Sequence, residues 1–149
     1  MELVKEISFV HLEIRQEGEL KFSQEELSEA ACAARWMRGF LGEPDRRYLA
    51  VCCVDSSIRP VCVQTVAIGT SQYCSCEMSG IFRVALLTHA AGILLFHNHL
   101  SGDAGPDQED MERNWKIREA GWKLGIPLRD YILLGAGDAY FSFAEKGIL

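Results

Sequence analysis

The run Ala90-Ala91-Gly92-Ile93-Leu94-Leu95-Phe96, together with the residues immediately after it, restricts the fold more than any other stretch of the chain. Its length and composition are those of a buried strand. His97 and His99 come straight after it, then Ser101-Gly102-Asp103, Pro106, and the acidic group Asp107, Glu109 and Asp110 at the head of a helical pattern. Strand residues two apart point the same way, so His97 and His99 can converge on one point. Asp107 and Asp110, three apart at a helix start, share a face. Two imidazoles and a carboxylate meeting across a turn suit a divalent ion with a fourth position left for water. The competing reading is that both histidines are structural and bind no metal.

At 149 residues the chain is long enough to bury a real core, and a single domain over 1–149 is expected. No apolar run approaches the roughly 20 residues a membrane helix needs. The segment Met1 to Glu6 has neither the basic region nor the apolar stretch of a signal peptide, so a cytoplasmic location is expected. With 15 basic against 21 acidic residues the net charge is −6. That balance disfavours a broad nucleic-acid surface, which needs clustered Lys and Arg. Cys32, Cys52, Cys53 and Cys62 lie in apolar contexts and read as core residues. Cys74-x-Cys76 has no second pair, which makes it a weak metal or redox signal.

Val4 to Arg15 reads as a strand of mixed alternation. Ser23-Gln24-Glu25-Glu26 has the form of a capping box, and a helix with Leu27, Ala30, Ala31, Ala34, Met37 and Leu41 on one stripe comes after it. Tyr48–Val54 and Pro60–Ile68 read as a hairpin around Asp55-Ser56-Ser57. A second helix is predicted over Ser79 to Ala90, with His89 inside it as a packed or solvent-facing residue. The helix opened by Pro106 runs through Met111, Trp115, Ile117, Ala120 and Leu124 to Gly125. Arg129–Leu134 is a further strand and Ala139–Phe143 a short last one. Helices interleave with strands, which predicts an α/β sandwich around a mixed sheet.

His97-x-His99, Ser101-Gly102-Asp103, Pro106 and Asp110 together resemble the JAMM/MPN metal-binding motif. Gly69-Thr70, Phe82-Arg83-x-Ala85-Leu86 and Gly121-x-x-Leu124-Gly125-Ile126-Pro127-Leu128 are similar to its RadC-like branch. So are Asp130-Tyr131-Ile132 and Phe141-Ser142-Phe143-x-Glu145-Lys146-Gly147, and the likeness covers roughly residues 45–149. The resemblance implies a three-layer sandwich of cytidine-deaminase-like architecture. It also implies a zinc ion on His97, His99 and Asp110, with water as fourth ligand. In working members a glutamate deprotonates that water and a serine of the motif steadies the oxyanion, so an amide or isopeptide bond of a peptide or protein substrate is hydrolysed.

Two departures from the family pattern bear on catalysis. Asp107 stands where relatives carry serine three residues before the metal aspartate. A hydroxyl can donate to an oxyanion and an ionised carboxylate can only accept. Losing one such donor typically costs about 3–4 kcal/mol. Counting back from Gly69-Thr70 puts the glutamate position at Val63 or Gln64, neither of them acidic. Glu77 and Glu109 are the nearest acidic substitutes by sequence, and Asp107 could itself be a displaced base or ligand. The rival expectation is a hydrolytically degenerate domain that serves as a protein- or nucleic-acid-interaction module in DNA repair or mobile-element biology. Neither an HNH nuclease nor a zinc nucleobase deaminase fits, the latter needing His-x-Glu and Pro-Cys-x-x-Cys.

Overall fold

The computed structural model describes residues 1, 3–23, 27 and 29–149. Its secondary structure runs α1 (Ala30–Leu41), β1 (Tyr48–Val54), β2 (Pro60–Ile68), α2 (Met78–Leu87), β3 (Gly92–Asn98), α3 (Gln108–Leu124), β4 (Leu128–Leu134) and β5 (Tyr140–Ser142). The five strands form one mixed sheet in the order β2-β1-β3-β4-β5. Only β3 and β4 are parallel, and α3 supplies the crossover that parallel neighbours require.

Alternation on the strands builds two cores. Leu49, Val51, Cys53, Ile93, Leu95, Tyr131 and Leu133 face α2 and α3, where Ile81, Phe82, Ala85 and Ile117 meet them. Ala50, Cys52, Leu94, Phe96, Ile132 and Leu134 face the other way and meet Ala33, Ala34 and Met37 of α1. The three-layer α/β sandwich expected from the sequence is therefore the fold. All seven residues of β3 are buried, as an apolar run between two helix layers demands.

The predicted hairpin forms around Asp55, whose Oδ1 accepts from the amides of Ser57 and Arg59, both at 2.9 Å. The predicted strand over Val4 to Arg15 does not form. Residues 3–23 carry neither helix nor strand, and Val4, Ile7, Phe9, Val10 and Leu12 are exposed. Mixed alternation puts apolar side chains on both faces, and such a strand needs cover on both sides and a partner edge. Here it has neither. Residues 24–26 of the expected capping box lie outside the described residues, and α1 begins at Ala30 after Glu29, which makes no side-chain cap. The second helix also stops earlier than predicted. Thr88 closes it by donating from Oγ1 to Val84 O at 2.9 Å, which leaves His89 outside it, exposed, with φ 55°.

In α3 the buried face is Asp110, Asn114, Ile117 and Gly121, while Met111 and Trp115 are exposed. Half of that face is polar. Asn114 Nδ2 donates to Ile148 O at 3.0 Å and ties down the C-terminal turn. Asp110 is the carboxylate of the predicted site.

Candidate metal centre

His97 lies near the end of β3 and His99 just beyond it, both on the sheet face that α3 covers. The loop between β3 and α3 turns sharply enough to return Asp110 to them. Gly102 takes φ 91°, and Asp103 Oδ1 accepts from Gly105 N at 2.8 Å. Gly135 is needed beside that loop, because a Cβ there would lie 2.6 Å from Gly102 O. Asp107 then caps α3: its Oδ1 accepts from Asp110 N at 2.8 Å, and Asp110 Oδ2 accepts from Asp107 N at 3.1 Å. This reciprocal box fixes the first turn of the helix and the direction of the Asp110 carboxylate together.

The result is a buried group in which one nitrogen of His97, one of His99 and one Asp110 oxygen all lie within 4.8 Å of one another. His97 Nδ1 lies 2.9 Å from Tyr48 O, and His99 Nδ1 lies 3.1 Å from Asp103 O. A carbonyl can only accept, so each Nδ1 carries a proton, and in the neutral ring each Nε2 keeps a lone pair. His99 Nε2 is buried and has no aligned hydrogen-bond partner, although it approaches Asp110 Oδ2 to 2.9 Å. A buried imidazole nitrogen beside a carboxylate oxygen, with a second imidazole in the same group, is a donor set for a cation. The residues fit a divalent ion.

The surrounding charges prepare these donors. Burial pushes the His97 pKa down to about 4, against the pull of the Tyr48 carbonyl, so the ring is neutral at pH 7. Asp110 raises His99, with burial opposing. Burial alone would raise Asp110, but the His99 ring beside it and the bond from the Asp107 amide hold it well below the usual carboxylate range. Tyr131, fully buried on β4, donates from its hydroxyl to Asp110 Oδ1 at 2.9 Å and accepts from Arg113 Nη1 at 2.9 Å. Arg113 Nη1 also lies 3.5 Å from Asp110 Oδ1.

Tyr131 and Arg113 therefore orient the carboxylate from behind, a support that typically carries about 10- to 100-fold in ion affinity. Tyr131→Phe is expected to weaken divalent-ion binding by about 10- to 100-fold, read by competition with a chromogenic chelator. Unchanged affinity would remove Tyr131 from that role.

The chain belongs to the RadC-like JAB domain family. That family's model matches residues 27–148, and so takes in α1 as well as the region from residue 45 onward. A UPF0758 protein of Thermotoga maritima is 33% identical over 105 residues, covering 70% of this chain and 47% of the relative. Another UPF0758 protein, from a Roseiflexus species, is 34% identical over 116 residues, covering 78% and 49%. One from Clostridium kluyveri is 34% identical over 113 residues, covering 76% and 47%. The chain spans about half the length of the curated relatives it matches.

Of the residues singled out from the sequence, this RadC-like domain brings His97, His99 and Asp110 together and places Asp107 beside them as the helix cap. Gln64 is exposed on the edge strand β2 opposite Val51, whereas His97 lies opposite Leu49 on the far side of β1. That register sets the two backbones two strands, about 10 Å, apart and about 7 Å offset along the strands, on the same face of the sheet. Glu109 accepts from Arg113 Nη2 at 3.2 Å, and Glu77 is the exposed N-cap of α2. Among the described residues, Cys74 and Cys76 belong to no group of potential metal ligands, and all six cysteines are free.

Asn98, between the two histidines, holds the entry to β1. Its Nδ2 donates to Arg46 O at 3.0 Å and its Oδ1 accepts from Tyr48 N at 2.6 Å. A cleft of about 330 Å³ reaches His99 from the α1 side, between Arg38, Leu41, Leu134 and Gly135. Sequence reasoning missed Tyr131, Arg113 and the Tyr48 carbonyl. Arg113 alone carried a local signal, three residues after Asp110 on the same helix face.

Proposed function

We propose that this domain holds one zinc ion on His97 Nε2, His99 Nε2 and a carboxylate oxygen of Asp110, and uses it to take an oxygen atom of a peptide or protein ligand. The observation that carries this is the shared tautomer: both Nδ1 atoms are committed to backbone carbonyls, which leaves two Nε2 lone pairs in one buried group with a carboxylate. Two nitrogens and one oxygen are a donor set suited to zinc with an open position. When bound, the ion would polarise a carbonyl and acidify a water.

What this chain's own residues do is bind and orient. His97 and Asp110 enter as neutral imidazole and ionised carboxylate, so loading costs little proton release from them. Amide turnover also needs a proton acceptor within one hydrogen bond or one water of the reacting group. The acidic neighbours are committed elsewhere: Asp107 caps α3 and Glu109 receives Arg113. The consequence is binding without efficient turnover, with a protein or peptide as partner. Net charge −6 gives nucleic acid no broad electrostatic footing.

A second reading is zinc-dependent amide hydrolysis with Asp107 as the proton acceptor. The half-exposed Asp107 carboxylate at the rim of the group favours it. Zinc-loaded protein offered amide and isopeptide substrates is expected to hydrolyse them no faster than zinc-free protein. Zinc-dependent turnover abolished by Asp107→Asn would establish the second reading in its place.

A further inference from the structure

Arg47 neither ligates the ion nor orients a ligand, yet it is fixed against the site. It is the last residue before β1, and its backbone is held from both sides. Arg47 N donates to Thr70 O at 2.9 Å, and Arg47 O accepts from Gly69 N at 2.8 Å. Its two chain neighbours are pinned by the ligand strand itself. Asn98 binds Arg46 O and Tyr48 N, and His97 Nδ1 binds Tyr48 O. Arg47 and the histidines thus share one rigid frame.

The side chain is only 15% exposed. Its one ion-pair contact among the described residues is long: Nη1 lies 4.0 Å from Asp107 Oδ2, beyond hydrogen-bond range. Its Nε is buried with no hydrogen-bond partner. A guanidinium has five N–H donors and cannot shed its charge, so one that is mostly buried and whose Nε has no acceptor is under-paired. It would be stabilised by an anion. A carboxylate matches it best, because two oxygens meet two parallel N–H groups.

The charge balance of the site points the same way. A divalent cation held by two neutral imidazoles and one carboxylate keeps a net positive charge, and Arg47 adds another close by. Asp107, half exposed and tied into the helix cap, offsets only part of this.

We infer that Arg47 and the ion held by His97, His99 and Asp110 together form a carboxylate subsite, in which one ligand carboxylate is shared between the metal and the guanidinium. This rests on the proposed ion site and names the chemistry of its ligand: an acidic peptide group, either a chain-terminal carboxylate or an aspartate or glutamate side chain. Arg47 is then the residue that selects an anionic group over a neutral amide.

The test uses protein loaded with cobalt(II), whose visible absorption reports changes at the ion, with cobalt content measured separately. It is titrated with N-acetylglycine, N-acetylaspartate amide and the neutral N-acetylglycinamide. The two carboxylates are expected to shift the spectrum saturably and the neutral amide to bind far more weakly, the tighter carboxylate identifying the source. Arg47→Gln is expected to weaken carboxylate binding about 10- to 100-fold at unchanged cobalt content, the worth of a charge-assisted hydrogen bond. Arg47→Lys should fall between, because it keeps the charge and loses the fork. Equal affinity in wild type and Arg47→Gln at full cobalt occupancy, or equal binding of carboxylate and amide, would overturn the subsite and leave the ion site standing. Wild-type protein that takes up no cobalt would overturn both.

Discussion

Alanine at His97 is expected to take the purified protein from about one ion per chain to none, because three protein donors are the least this site can offer an ion. The ring is 1% exposed and its Nδ1 partner is a backbone carbonyl, so no other described side chain is placed to take over its Nε2. The consequence extends to folding. Zinc at about 100 times its dissociation constant adds about 2.7 kcal/mol to the stability of a protein that binds it only when folded. That increment, the difference between denaturation with zinc and with chelator, should vanish in the variant. His97→Gln serves as a second variant, since it fills more of the space and can still donate to Tyr48 O. Retention of a stoichiometric ion by both variants would mean that the metal sits elsewhere.

The second large effect concerns the metal-free protein and pH. Burial lowers the folded pKa of His97 from 6.5 to about 4. The unfolded chain then takes up a proton at a higher pH than the folded chain does. Stability from this group is fully present above pH 6.5 and falls as pH drops from there toward 4, by on the order of 3 kcal/mol. Asp110 does not mask this, because its folded pKa is depressed and its contribution is lost only at lower pH. His99 works the other way: its pKa is raised by Asp110, so its contribution is present below 6.5 and lost as pH rises through its folded value. Denaturation in chelator at about pH 7.0, 5.5 and 4.5, spanning that window, should show the wild type weakening steeply toward low pH and His97→Gln weakening much less. Parallel profiles would assign the acid sensitivity to another group.

Much of the site was legible in the sequence because its geometry is local. The parity of His97 and His99 on β3 and the i, i+3 relation of Asp107 and Asp110 need only strand and helix periods. The layer order came from alternating helices and strands. What failed depends on contacts between distant segments. Whether Val4 to Arg15 forms a strand turns on a partner edge, which its own residues cannot specify.

The apolar residues Met111 and Trp115 marked α3 as a helix but not its buried face, because that face is built around Asp110 and Asn114. Periodicity of apolar residues is blind to a helix that turns its polar side inward for a ligand. Asp107 shows the same limit. The sequence presents it as an anion in a catalytic position, while the structure gives its carboxylate a second task, holding the amide of the metal aspartate. Arg47 gave no signal, since its proximity comes from Asn98 reaching across from β3 to the residues on either side of it.

An anomalous difference map recorded at the zinc absorption edge locates the ion itself. A crystal grown with zinc should show one strong peak within about 2.0–2.2 Å of His97 Nε2, His99 Nε2 and an Asp110 oxygen. A map with no peak among those three atoms, or with the zinc at Cys74 and Cys76 instead, would contradict this placement.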